Sequence, residues 1–280
     1  MKKNSILLFL LCSAMGAAAQ NWPEVRPEAR PGSRWWWLGS AVDKDNLNYN
    51  LKEYGKAGLG SLEVTPIYGV KGNKSHNIRF LSPEWMEMFR YTQEVGKTNG
   101  IDIDMNTGTG WPFGGPEVSL SQAAAKAIFE CYEVKGGESV KLEIDIRDTK
   151  EEKQRDVAYP DCLMAYGADG KVVNLTRKVK DGYLQWDAPT GDWKLVALFV
   201  GRTFQKVKRA APGGEGYVMD HFSPVAVKSY FEKFDKAFKT NKVNFPRTFF
   251  NDSYEVYGAD WTPAFLKEFA ARRGYRLENH

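Results

Sequence analysis

Residues 34–40, RWWWLGS, open the pattern from which the rest of the chain is read. An aromatic run that ends in small residues is strand-like, and a helical signal starts straight after it. Asp43 stands as a cap, Leu47, Leu51 and Tyr54 recur at helical spacing, and Gly58 and Gly60 end the helix. Residues 61–68, SLEVTPIY, are the next strand and its loop. Ser82-Pro83 then opens a second helix, as a cap followed by a first-turn proline, with Trp85, Met88, Phe89 and Val95 on its apolar face. Residues 101–106, IDIDMN, form a third strand that runs into a glycine-rich loop. Strand-helix units of about 30 residues predict parallel strands joined by right-handed crossovers. An open doubly wound sheet and a closed barrel both satisfy that pattern. The first strand-helix turn, Leu38-Gly39-Ser40, carries no dinucleotide fingerprint, which favours the barrel.

The same grammar returns after residue 215. Tyr217 to Asp220 reads as a strand, Ser223-Pro224 opens a helix, Thr248 to Asn251 is another strand, and Thr262-Pro263 opens the last helix with Phe265, Leu266 and Phe269 inward. Between the halves the period changes. Val140 to Ile146 alternates apolar and charged residues, and turn signals follow at Asp169-Gly170, Asp181-Gly182 and Pro189 to Asp192. Trp193 to Val200 is a near-continuous apolar strand. The expected class is therefore α/β: an incomplete (β/α)8 TIM-type barrel with an inserted antiparallel β domain. Its first part is 20–122, the insertion is 123–214 and the continuation is 215–280. A single mixed α+β domain is the competing reading.

Lys2 and Lys3, the apolar run Ile6 to Leu11 and the small residues Ala17-Ala18-Ala19 follow the order of a secretory signal, so residues 1–19 are expected to be a leader and the protein exported. The apolar run is too short for a bilayer of roughly 30 Å. Cys12 raises lipidation, but Phe9, Leu10 and Leu11 are not the small residues that reading needs. The formal charge of +4 falls to +2 without Lys2 and Lys3, and no basic run stands out, which argues against a nucleic-acid partner. Cys131 and Cys162 fall in strand-like segments of one region. They admit a single disulfide or two buried thiols.

In a closed barrel the active site sits at the carboxyl ends of the strands. Glu63 falls within the second strand, Asp104 and Asn106 end the third, Asp220 and His221 the fourth, and Asn251, Asp252 and Glu255 the fifth. Carboxylates at successive strand ends suit glycosidic cleavage. That chemistry needs one neutral carboxyl group to protonate the leaving oxygen and a second carboxylate to attack the sugar or activate water. Each acid has a plainer reading as a sugar-hydroxyl ligand or a helix cap. The loop from Thr107 to Gly115 lacks the Lys and Ser/Thr that close a phosphate loop, so Trp111 among glycines reads as a flat sugar surface or as a connector with a packed tryptophan. Trp35, Trp36 and Trp37 alternate faces, so only one or two can meet a ligand. His76, His221 and His280 are scattered, and neither zinc spacings nor a Gly-x-Ser-x-Gly elbow occurs.

Four segments carry a resemblance: PGSRWWWLGS from Pro31, LGSLEVTPIYG from Leu59, NTGTGWPFGG from Asn106 and NDSYEVYGADWTPAFLKEFAARRGY from Asn251. Together they resemble glycoside hydrolase family 106, the α-L-rhamnosidases of polysaccharide-degrading bacteria, over essentially all of residues 23–280. The resemblance implies a (β/α)8 barrel followed by β-sandwich domains, inverting hydrolysis of terminal α-L-rhamnose on a rhamnose-containing glycan, and calcium at the sugar site. It gives Glu255 as general acid. Placement near the strand ends makes Asp252 a further catalytic candidate and Glu63, Asp104, Asn106, Trp111 and Asp220 candidates for substrate binding. Only about five strand-helix units precede His280, so the chain is expected to stop before the barrel closes, with the general base beyond that point; a noncatalytic sugar-binding or inactive fragment is the competing reading.

Overall fold

The computed structural model describes residues 25–280, so the leader reading of 1–19 lies outside the described residues. Strand β1 (Gly32–Leu38), helix α1 (Lys44–Lys56), β2 (Ser61–Ile67), α2 (Pro83–Thr98) and β3 (Asp102–Asn106) follow in order. The helix starts are built as their caps dictate. Asp43 accepts the Asn46 N–H at 2.8 Å and Ser82 accepts that of Trp85 at 3.2 Å. The glycine-rich loop then carries a two-residue strand β4 (Gly114–Gly115) before the polypeptide enters a β-rich region.

That region holds β5 (Ala125–Lys135), β6 (Ser139–Glu143), β7 (Tyr159–Gly167), β8 (Val172–Asn174), β9 (Val179–Lys180), β10 (Tyr183–Asp187) and β11 (Asp192–Arg202). They form two antiparallel sheets, ordered β5-β11-β7-β8 and β6-β10-β9. Ile128, Leu163, Leu184, Trp186, Trp193 and Leu195 belong to one buried cluster shared by both sheets. The chain returns through β12 (Tyr217–Val218), α3 (Pro224–Asn241), β13 (Phe249–Phe250) and α4 (Phe265–Arg273).

The parallel sheet has the order β1-β2-β3-β13, and no barrel closes among the described residues. Two assignments from sequence change here. Tyr217 to Asp220 is not a parallel strand: β12 is only two residues long and pairs antiparallel with β4. The backbones meet so closely that a Cβ on Gly114 would lie 2.0 Å from the Tyr217 carbonyl oxygen, so the glycines serve this approach. The last helix also packs elsewhere. Phe265 and Leu266 sit with Trp261 against Cys162, Met164, Leu198 and Val200, on a face of the β5-β11-β7-β8 sheet, rather than in the helical layer of the parallel sheet. From Ala197 to Val200 strand β11 is apolar on both faces because both are covered. Thr262 does not cap α4, since its hydroxyl is committed to Asp220.

Cys131 and Cys162 are both free thiols. They lie on β5 and β7, which flank β11 on opposite sides, opposite Val196 and Leu198. Two strand spacings separate them by about 9–10 Å, beyond the reach of a disulfide. Burial pushes the Cys162 thiol up to about 11, away from reactivity.

The core of the α/β part lies on one face of the parallel sheet. Trp37, Leu62, Val64, Ile103 and Met105 meet Leu47, Leu51, Trp85, Phe89, Phe234 and Phe238 from α1, α2 and α3. The opposite face carries the alternate residues of the same strands.

Candidate active site

Alternation along the strands puts Arg34 and Trp36 of β1, Glu63 and Thr65 of β2, and Asp102, Asp104 and Asn106 of β3 on the face away from the helices. The register aligns Arg34 with Glu63 and Glu63 with Asp104 in one row across three strands. Of the three tryptophans, Trp36 is the one on this face. It is 42% exposed, while Trp37 is buried in the helical core and Trp35 packs beside it.

Arg34 organises the charges. Its Nε lies 3.2 Å from Glu63 Oε1, and its Nη1 donates to Asp252 Oδ2 at 2.7 Å. Its guanidinium also stands 5.2 Å from the Trp36 ring centre and 5.3 Å from that of Phe250. β1 and β13 are the two edges of the sheet, about 14 Å apart if it were flat. The Arg34–Asp252 ion pair bridges that separation. Glu63 Oε1 also accepts the Thr65 hydroxyl at 2.9 Å. Asp104 is held by Arg247, at 3.0 and 2.6 Å, and Arg247 takes Asp102 as well. Their hydrogen bonds and attraction raise the Arg247 pKa further.

The structure thus brings Glu63, Asp104 and Asp252 to one face, but Glu63 and Asp104 lie in mid-strand rather than at strand ends. Trp111 does stand at the rim, with its ring 6.2 Å from Trp36. Asn106 is 0% exposed, and neither polar atom of its amide has a protein partner. Glu255 is half-buried in the turn after β13. Its Oε1 accepts the Ser253 hydroxyl at 3.2 Å, and its backbone carbonyl accepts from Gln205 Nε2 at 2.8 Å. Gln205 also accepts the Tyr257 N–H, which ties this turn to the segment 203–214.

Asp220 stands apart. It is 2% exposed, accepting the Phe222 N–H at 2.9 Å and the Thr262 hydroxyl at 2.8 Å, and no contact joins it to Glu63, Asp104 or Asp252 among the described residues. Burial raises its pKa, against the two hydrogen bonds and the attraction of Arg202 and His221. Its work is to join the start of α3 to the approach of α4. A folded-state pKa above the unfolded value means that folding favours the protonated form, so this contribution is present below the ordinary value and is lost as pH rises through the folded one. The stability of the parent relative to Asp220→Asn is expected to decline as pH rises above the ordinary carboxylate value of about 4. Urea unfolding at several pH values checks it, and a constant difference over that range would refute it.

Sequence reasoning did not single out Arg34, Trp36 or Arg247. For Arg34 a signal was present, because the alternation that buries Trp37 puts Arg34 and Trp36 together on the opposite face. Arg247 gave none: it precedes a two-residue strand and meets Asp104 only through the fold.

A calcium ion would need several oxygen ligands in one place. Here Glu63, Asp104 and Asp252 are each engaged by an arginine, and no group of three or more His, Cys, Asp or Glu is arranged to hold a metal among the described residues. The residues present do not fit that ion, and no step below runs through it.

A parallel sheet covered by helices on one face and lined with carboxylates on the other defines an α/β protein with a polar, sugar-compatible face. The chain belongs to glycoside hydrolase family 106, described as alpha-L-rhamnosidase, whose pattern matches residues 23–171 and 149–280. It is 26% identical over 295 aligned residues to a Formosa agariphila protein that carries a provisional beta-glucuronidase name, covering 91% of this chain and 25% of that protein. Among solved structures, a rhamnosidase from Novosphingobium sp. PP1Y superposes with a TM-score of 0.69 at 16% identity, over 91% of this chain and 41% of the other. That likeness is one of fold. The chain spans about a quarter of the curated relative and well under half of the solved one. No helix among the described residues is long and apolar enough to cross a membrane.

Proposed function

We propose that the chain supplies the acid-bearing part of a glycoside hydrolase site that cleaves terminal α-L-rhamnosides from a rhamnose-containing glycan. The observation that carries this reading is the row of Arg34, Glu63 and Asp104 across the helix-free face of the parallel sheet, with Asp252 tied to Arg34, in a member of a rhamnosidase family. The four parallel strands are, on this reading, consecutive strands of a (β/α)8 barrel whose interior is that face.

Glu255 gives its proton to the leaving glycosidic oxygen. Asp252, fixed by Arg34, holds the turn that presents Glu255 and lines the sugar. Glu63 and Asp104 accept from sugar hydroxyls, the buried Asn106 amide backs that face, and Trp111 and Trp36 offer ring faces. The base that activates water is a carboxylate facing Glu255 across the sugar, roughly 6.5–9.5 Å away if configuration inverts. The leader reading places this work outside the cytoplasm.

The test is hydrolysis of 4-nitrophenyl glycosides by the whole protein. Release from the α-L-rhamnoside, with product configuration followed by NMR, is expected. Release from the β-glucuronide with none from the rhamnoside would overturn the substrate assignment.

A further inference from the structure

The segment 203–214 crosses the carboxyl ends of β2 and β3. Trp111 N–H donates to the Lys208 carbonyl at 3.1 Å, Lys208 N–H returns the bond at 3.0 Å, and Tyr68 N–H donates to the Arg209 carbonyl at 3.0 Å. A Cβ on Gly110 would sit 2.0 Å from the Lys208 oxygen, so this approach too depends on glycine. The crossing places two exposed cations, adjacent in sequence, on the rim. Lys208 Nζ is 4.9 Å from the ring centre of Tyr257, and the Arg209 guanidinium is 5.4 Å from that of Tyr68, whose hydroxyl accepts from Nη1 at 3.2 Å. Neither cation is paired with a carboxylate among the described residues, and the acid that follows the segment, Glu215, is turned to the Gly213 N–H. Arg209 is held at φ 58°, a left-handed conformation that a side-chain-bearing residue keeps only where its surroundings enforce it.

Tyr68, Trp111 and Tyr257 come after β2, β3 and β13, and the two cations stand against the rings of Tyr257 and Tyr68. Tyr257 is 65% exposed and Tyr68 44%. Flat rings suit the faces of pyranoses, and a guanidinium fork suits a planar carboxylate. We propose that this rim binds a uronate residue, the acidic sugar next to the one released, and so gives the enzyme a preference for rhamnosyl units carried on acidic glycans. The position of that sugar rests on the hydrolase reading above; the anion site itself does not.

Binding to the chain therefore tests it without catalysis. Trigalacturonate, its methyl ester and a sulfated neutral trisaccharide are titrated calorimetrically at low salt. The free acid is expected to bind about three- to fivefold more tightly than the ester, with the preference falling as salt rises. Lys208→Gln and Arg209→Gln, which keep chain length near parental, should each reduce it, and together abolish it. Equal binding of acid and ester, or a preference that survives in the double variant, overturns the proposal. Tighter binding of the sulfated sugar overturns the uronate assignment. An acid preference without rhamnoside hydrolysis would leave this site standing and remove only the hydrolase reading; hydrolysis without the preference would do the reverse.

Discussion

Glu255→Gln is expected to lower turnover of the whole protein on natural rhamnosides by about 100- to 10,000-fold, the usual worth of a positioned proton donor. On 4-nitrophenyl rhamnoside the loss should be far smaller. The nitrophenolate leaves without a proton, so the missing acid is scarcely felt. The contrast matters because Glu255 sits in a turn with structural ties. Ser253 donates to its carboxylate, and Gln205 holds its backbone carbonyl and the Tyr257 N–H. Glutamine keeps the acceptor for Ser253 and leaves the backbone bonds untouched, so the turn should retain its shape. Equal losses on both substrates in a folded variant would make Glu255 a binding or structural residue. The kinetic comparison separates the roles because only proton donation depends on the leaving group.

Trp85→Ala is expected to cost about 3–5 kcal/mol of folding stability. This is a large share of the roughly 5–15 kcal/mol that a domain possesses. Trp85 is fully buried in the core between the parallel sheet and its helices. It stacks on Phe89 at 5.2 Å, meets Phe80 edge-on at 5.1 Å and touches Trp37 at 5.6 Å. Its indole N–H donates to Ser40 Oγ at 3.0 Å, which anchors the turn between β1 and α1. Alanine leaves a cavity among aromatic side chains that cannot collapse into it and removes the donor to Ser40. Trp85→Phe keeps much of the ring packing while losing the hydrogen bond, and should cost markedly less. Chemical unfolding of the two variants checks the ranking. Similar losses for both would mean that the bond to Ser40, rather than the volume, sets the energy.

The sites of these two predictions were not equally readable from the chain. The period of Trp85, Met88 and Phe89 behind the Ser82-Pro83 cap gave both the helix and its buried face. The charged face was only half legible. Glu63, Asp104 and Asp252 could be named from their places near strands, but their partners could not. Arg34 lies 218 positions from Asp252, and Arg247 lies 143 from Asp104. Asp220 differs: its place after a strand-like segment made it a site candidate. The fold instead buries it against Thr262, because β12 pairs with β4 and never joins the parallel sheet.

By itself the sequence determined what depends on neighbours along the chain. The caps at Asp43, Ser82 and Ser223, the alternation that sends Trp36 and Trp37 to opposite faces, the change of period near residue 123 and the family motifs all rest on contacts within a few residues. Only the tertiary structure decided which strands pair, which sheet α4 covers, which arginine faces which carboxylate, and where Lys208 and Arg209 come to lie beside Tyr257 and Tyr68. Those outcomes depend on segments far apart in sequence meeting at fixed distances. Glycine at 110 and 114 lets two backbones approach, but its own spacing does not say which backbones they are.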